Sequence, residues 1–332
     1  MTHLTEQPFL VLNLFTFIAT GSIPYNRRMA APTGTLKRRQ RAQADLLLLL
    51  VALIWGTAFV AQRVGALNMG VYLFNGMRFL LGALVLLPFA WRDQRQVVKL
   101  TRGDALGIAL AGLLLFGGIS FQQVGLRYTP ASNAGFITGL YVVFIPLILM
   151  FGRGDGVRRG VLAASLCAGV GLFLLSTGGQ LRLAPGDTLE LACAVLWAFH
   201  VIWIGRLVQR LDALRIAIGQ NLLCGGLSLA IGLLLEGEAW PQGVITWWAI
   251  VYTGVFSIGV GYTLQVVGQR VAPAADAAIL LSLEAVFAAL FGWLLLDERL
   301  SMVQLLGCGL MLAGMVLAQV QSLARGSKDE RE

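Results

Sequence analysis

Charge is what this sequence has least of. Asp, Glu, Lys and Arg make up 13% of its 332 residues, about half the roughly 25% of a soluble domain. That excludes a soluble globular enzyme and a charge-rich disordered tail. Cysteine is nearly as scarce. The four present, Cys167, Cys193, Cys224 and Cys308, all fall inside apolar runs. They have neither metal-ligand spacing nor the density of a disulfide-stapled secreted domain, and read as buried packing. There are two histidines and no HExxH, no Walker A phosphate loop, no GxSxG and no acid cluster for metal or phosphoryl chemistry. No cofactor and no metal are expected, and the energy source must be a gradient or the substrate's own.

What the chain has in quantity is apolar surface. Hydrophobic residues reach 57%, against roughly 45–50% in soluble domains, and the mean hydropathy is +0.77. A bilayer core takes about 20 apolar residues per helix. Ten such runs lie near 45–67, 71–91, 104–124, 130–151, 157–178, 186–207, 213–235, 245–268, 273–296 and 301–323. The gaps are too short for a soluble domain. The expected fold is an all-α membrane protein of ten transmembrane helices.

The formal net charge of +8 is a topology signal rather than a nucleic-acid footprint, because the basic residues sit between apolar runs and no basic stripe is interleaved with aromatics. With the N-terminus inside, 20 of the 25 Lys and Arg are cytoplasmic and three, Arg127, Arg182 and Arg299, are outside. Both termini are then cytoplasmic, in the inner (plasma) membrane. The first 28 residues fit this scheme poorly. Phe9–Thr20 is too short to span, and Met1–Pro8 lacks the Lys or Arg of a signal peptide. The expectation is that Met29 is the real start or that 1–28 is dispensable, within a cytoplasmic extension over 1–44 and a cytoplasmic tail over 324–332.

Slid on itself by 143, the chain aligns FQQVGLRYTPASNAGFITGLYVVF with LQVVGQRVAPAADAAILLSLEAVF, so that Gln122 meets Gln265, Gly125 meets Gly268, Arg127 meets Arg270 and Pro130 meets Pro273. At an offset of 142, Trp55 meets Trp197. Two five-helix halves, 45–178 and 186–323, follow. Five is odd, so the second half enters the membrane inverted, as in secondary transporters that alternate access around a midplane site.

These pieces resemble the EamA-type transporters of the drug/metabolite transporter superfamily. The matching stretches are LIWGTAFVAQ and NGMRFLLGAL in the first two spans, LRYTPASNAGFITGLYVVFIPL in the first half, and VAPAADAAILLSLEAVFAALFGWLLLDERLS in the second. The match runs over about 45–323. The resemblance implies a central cavity lined mainly by the first, third, fourth, sixth, eighth and ninth spans, with the fifth and tenth peripheral. Family members often carry an acidic-basic pair after the helix ending each half. Here the second half has Asp297-Glu298-Arg299 and the first Arg153-Gly154-Asp155, so that feature is asymmetric.

A charge in hydrocarbon costs at least ~2.5–3.5 kcal/mol, which makes each buried one a site candidate. Glu284, in the middle of 273–296, is suited to a substrate amine or a coupling proton; the alternative is a paired or protonated glutamate that locks helices. Its repeat partner is Tyr141. Arg78 is suited to an anionic group or to a structural ion pair, Glu284 being one conceivable partner. His200, a turn after Trp197, is a candidate proton shuttle or a satisfied hydrogen-bonding group. Trp55 and Phe59 share a helix face and suit either an aromatic substrate or packing. Gln122, Gln123, Gln265 and Asn133 would supply cavity hydrogen bonds or bridge helices. Trp203, Trp240, Trp247 and Trp248 read as interfacial belt. Asp276 and Glu190 read as carboxylates in first turns, favoured by the helix dipole. Gly135 and Gly139 read as a close-packing face.

The expectation is a secondary carrier for a small polar metabolite, an amino acid or a derivative, with export favoured over uptake or exchange; direction and substrate come from the resemblance. Its partners would be the substrate, the bilayer, a proton and, as a homodimer, a second copy. An intramembrane enzyme acting on a lipid-linked substrate would need polar residues converging near one leaflet, and here they are dispersed. A membrane scaffold would need no accessible cavity.

Overall fold

The protein is described by a computed structural model, over residues 34–92, 100–129, 131–153, 159–179, 185–237, 239–287, 290–291 and 300–326. The proposed Met29 start, Arg182 and the Asp297-Glu298-Arg299 cluster lie outside these residues. Every regular element among them is helical.

The first helix, α1 (Gly34–Asn68), begins well before the apolar run does. Its Lys-, Arg-, Gln- and Ala-rich start favours helix, so part of the expected extension over 1–44 belongs to the bundle. There follow α2 (Val71–Arg92), α3 (Arg102–Tyr128), α4 (Ala131–Gly139), α5 (Tyr141–Arg153) and α6 (Arg159–Thr177). The second half of the chain holds α7 (Asp187–Leu207), α8 (Ala213–Leu235) and α9 (Gly243–Tyr252). A π-helical segment, Thr253–Tyr262, continues α9 into α10 (Thr263–Gln269), and α11 (Ala274–Leu281) and α12 (Met302–Gly326) complete the chain.

Polar residues set the boundaries. Thr101 and Asp104 form a reciprocal capping box at the start of α3. Asp212 accepts from the Leu214 and Arg215 amides to start α8. Glu236, at the end of α8, accepts from the Tyr72 and Leu73 amides at 3.1 and 2.9 Å and so caps α2 from across the bundle.

Among the described residues, six stretches are long and apolar enough to cross a bilayer: Arg39–Asn68, Val71–Trp91, Arg102–Tyr128, Asp187–Leu207, Ala213–Leu235 and Gly243–Gln269; shorter apolar helices run over Ile137–Phe151, Arg159–Leu175 and Met302–Leu317. Leu106, Phe151, Leu234, Val244 and Trp248 are among the large apolar side chains left on the outside. Apolar surface on that scale is stable against lipid, not water. The protein is a multi-pass membrane protein.

Two expected spans, 130–151 and 273–296, are interrupted, and at corresponding places. The Leu140 amide bonds to the Ile137 carbonyl at 3.2 Å, and the Leu283 amide to the Leu280 carbonyl at 3.2 Å. Both are tight i−3 turns. Tyr141 and Glu284 are the first residues beyond the two breaks. Hydropathy is blind to such breaks because the residues around them are apolar either way.

Other correspondences recur in space. Arg127 donates to the Met69 carbonyl at 2.9 Å and Arg270 to the Leu211 carbonyl at 3.1 Å, each arginine reaching the turn that follows the first helix of its own half. In packing, α2 runs along α8, α6 along α12, α1 along the π-helical segment and α10, and α3 along α7.

The α6–α12 seam depends on close backbone approach. A Cβ on Gly307 would stand 2.6 Å from the Gly171 carbonyl, and one on Gly171 would stand 2.7 Å from the Gly307 carbonyl. Gly307→Leu is therefore expected to cost about 1–3 kcal/mol by overpacking. Thermal unfolding of the purified protein in detergent should show a lowered midpoint, and an unchanged midpoint would mean that the two helices do not meet there.

Candidate functional site

The interrupted helices and the aromatic faces of α1 and α7 converge on one cavity. It holds about 510 Å³ of empty space, its open mouth included. Its walls come from α1, α2, α3, α4, α5, α7, the π-helical segment, and α11 with the residues just after it. Among the described residues, the fifth and tenth expected spans line none of it, in line with the peripheral place the resemblance implied. The second span does contribute, through Arg78 and Phe79.

The apolar wall is built of rings. Trp197 and Tyr262 stack with centroids 5.9 Å apart and planes at 12°. Trp55 tilts against both, at 6.2 and 5.0 Å, and Phe79 lies 5.9 Å from Tyr262. The Trp55 indole donates to the Ser257 carbonyl at 3.0 Å. Gly261 makes that approach possible, since a Cβ there would lie 2.6 Å from the indole nitrogen.

Two charged groups face this wall. The Arg78 guanidinium, 1% exposed, is fixed by the Asn75 carbonyl oxygen, which accepts from Nε at 3.1 Å and Nη2 at 2.8 Å, with Gln123 Oε1 3.4 Å from Nη2. It lies 4.8 Å from the centroid of the Phe74 ring. Nη1 donates to no described group. Glu284 is 5% exposed and lines the cavity. No described residue forms an ion pair with either, and they do not pair with each other. The site thus offers a guanidinium and a carboxyl group, each lacking a counter-ion among the described residues, in a ring-lined space.

Of the ten candidates read from sequence, Trp55, Phe59, Arg78, Gln122, Tyr141, Trp197 and Glu284 line the cavity. The Asn133 side chain lies outside what is described. His200 and Gln265 are buried and do not line it. The Nε2 atom of His200 is 3.0 Å from Gln220 Oε1, and the ring stands edge-on behind Trp197 and Tyr262. It supports the aromatic wall rather than facing a ligand. Gln265 has no hydrogen-bond partner for either side-chain polar atom among the described residues.

Sequence reasoning missed Gln62, Phe79, Thr138, Ser257 and Tyr262 at the cavity. Tyr262 carried a usable signal, being a polar-tipped aromatic three residues before Gln265. Hydroxyl residues give none, because many satisfy themselves locally, as Thr253 and Thr263 do by bonding carbonyls four residues back. The two carboxylates assigned to helix starts also differ in role. Asp276 does begin α11, where it meets Arg41 at 2.9 Å. Glu190 is wholly buried, and its Oε2 accepts from the Thr138 hydroxyl at 2.8 Å.

A multi-pass helical bundle with a cavity lined by aromatic and ionisable side chains is the build of a membrane transporter. The chain belongs to the EamA-like transporter family, whose profile matches residues 42–177 and, a second time, 184–319. Similar proteins include an uncharacterized transporter of Archaeoglobus fulgidus, 32% identical over 85% of this chain and 87% of its own length. The aromatic amino acid exporter YddG of Ancylobacter novellus is 25% identical over 69% of this chain and 80% of its own. A probable amino-acid metabolite efflux pump of Escherichia coli is 28% identical over 82% and 93%. One solved crystal structure superposes with a TM-score of 0.71 at 23% identity, covering 84% of this chain and 98% of that one, a likeness of fold.

Proposed function

We propose that this transporter exports an amino acid or close derivative across the inner membrane, carrying it as a zwitterion. The observation that supports this is the pair of uncompensated charges, Arg78 and Glu284, on one aromatic-walled cavity. Arg78 is the group for a carboxylate, since its free Nη1 can add a donor to one already oriented by Asn75. Glu284 is the group for an ammonium. Trp55, Trp197 and Tyr262 would hold an apolar or aromatic side chain by stacking and area burial. Buried charges that lack counter-ions favour a ligand bringing both signs, because it cancels two desolvation costs at once.

The mechanism is alternating access by two inverted halves, 45–178 and 186–323, as ten spans with both termini in the cytoplasm. The basic-residue asymmetry supports that orientation, and the matched breaks at Leu140 and Leu283 support the two-half reading. The breaks set Tyr141 and Glu284 where two half-helices end, the usual place for a transporter's binding groups. Export is favoured by two similar proteins, one named an aromatic amino acid exporter and the other a probable amino-acid metabolite efflux pump.

Mass spectrometry of medium and cytoplasm, from cells overproducing the protein and from cells carrying the empty vector, tests the reading. One amino acid or derivative should accumulate in the medium. Depletion from the medium instead would reverse the direction, and no change in any zwitterionic metabolite would remove the substrate class.

A further inference from the structure

We propose that Glu190 is a proton-binding site beside the cavity, loaded through the hydroxyl of Thr138. The proposal rests on the transporter reading but on no particular substrate.

The internal repeat supplies the argument. At the offsets that superpose the halves, Glu190 corresponds to Leu48, Thr138 to Leu281, Gly125 to Gly268 and Gln122 to Gln265. The contacts correspond as well. Gly125 packs so closely on Glu190 that a Cβ would run into its carboxylate, and a Cβ on Gly268 would stand 2.9 Å from Leu48 Cγ. The fold therefore closes the same junction with leucine at one end of the bundle and with a carboxylate and a hydroxyl at the other. Packing alone asks for nothing polar there. Gln265 and Gln122 show the consequence: Gln265 has no hydrogen-bond partner among the described residues, while Gln122 Nε2 lies 3.5 Å from Thr138 Oγ1.

The geometry admits a proton and little else. Glu190 is 0% exposed, and the oxygen turned toward the cavity is occupied by Thr138, which itself lines the cavity. A substrate amine cannot pass this hydroxyl. A proton arriving at Thr138 Oγ1 from the cavity can leave the hydroxyl's own proton on Glu190 Oε2, and the reverse transfer returns it; only O–H bonds change. The second oxygen, Oε1, is buried with no partner.

The neighbours supply no counter-ion among the described residues. On its own helix Glu190 has Asp187 one turn before, accepting from Thr129 at 2.9 Å, and Cys193 one turn after. From α3, Arg127 is turned to the Ala66 and Met69 carbonyls; on α1, Arg63 is held by the Leu126 and Thr129 carbonyls. α5 contributes Tyr141, the π-helical segment Tyr262, and the stretch after α11 Glu284, all at the cavity. Asp276 of α11 is held by Arg41.

Infrared spectra of the protein in lipid bilayers, recorded through a pH titration, test the proposal without any substrate. The carbonyl band of a protonated carboxylic acid should lose one titrating group in Glu190→Gln and in Glu190→Leu, the latter reproducing the residue the repeat tolerates and so guarding against misfolding. Thr138→Val should keep that group but slow its exchange with deuterium. An unchanged band in the Glu190 variants, or unchanged exchange in Thr138→Val, overturns the proposal. In a second arm, liposomes holding a pH-sensitive dye receive an equimolar mixture of the twenty standard L-amino acids. Proton movement driven by the mixture in wild type, lost in Glu190→Gln, supports the proposal; equal movement in both overturns it. If the mixture moves no protons in wild type while the infrared loss and the slowed exchange are both found, the proton site stands and proton-coupled transport of the standard amino acids is excluded.

Discussion

Glu284→Gln is expected to lower transport efficiency about 100-fold or more, on the scale of ~2–5 kcal/mol for removing one partner of a buried charge pair. Glutamine keeps the volume and the hydrogen-bonding oxygen and removes only the charge. The site would lose its partner for an ammonium group while its aromatic wall of Trp55, Trp197 and Tyr262 remained. Stability should hold or rise, because a buried carboxylate without a counter-ion contributes no favourable pairing to the empty protein. Counterflow of the exported metabolite in proteoliposomes, beside thermal unfolding of the same preparations, separates the two effects. Wild-type counterflow by the variant would return Glu284 to a packing role.

Arg78→Gln should be as damaging to a substrate with a carboxylate and nearly harmless to the same molecule lacking it. The guanidinium is held at two points by Asn75 and flanked by Phe74 and Phe79, so its direction is set before any ligand arrives. The expected loss is again about 100-fold for the free acid, and within roughly threefold for its decarboxylated amine, since a charge-assisted, oriented contact is lost only where an anion was bound. Arg78→Lys should fall between, at roughly tenfold, because a lysine keeps the charge without the planar fork that Asn75 engages. Competition by the acid and by the amine against counterflow measures both. Equal losses for the two ligands would mean that Arg78 acts on the structure and not on a carboxylate. Removing the guanidinium also strands Asn75 Oδ1, at about 1–3 kcal/mol, so a lowered melting midpoint is expected in either case.

These residues differed in how readily the sequence betrayed them. Arg78 and Glu284 stood out because an ionised side chain in an apolar run is expensive and must be matched by something. Trp55 and Trp197 were legible as partners across the repeat. His200 looked equally polar from its sequence context, yet its one hydrogen bond is spent on Gln220 and it stands behind the rings. Glu190 does lie in the first turn of its helix, as its sequence position indicates. What the sequence did not betray is that α3 and α4 close over it through Gly125 and Thr138. The breaks before Tyr141 and Glu284 left no trace in hydropathy, since Leu140 and Leu283 are apolar in either conformation.

What this sequence determined by itself is whatever a bilayer imposes along one dimension. Apolar runs must be helical where no water can bond the backbone, basic residues gather in the gaps between those runs, and a repeat written in Gln, Gly, Arg and Pro survives as matching letters. What only the tertiary structure decided is lateral: which face of each helix turns inward, which charges lack a counter-ion, and where a helix breaks to leave Glu284 at the cavity. Membrane helices meet through small residues and close backbone contact, at Gly171 and Gly307 or at Gly125 and Glu190. Such contacts depend on pairs of residues far apart in the chain, and no local pattern of polarity encodes the partner.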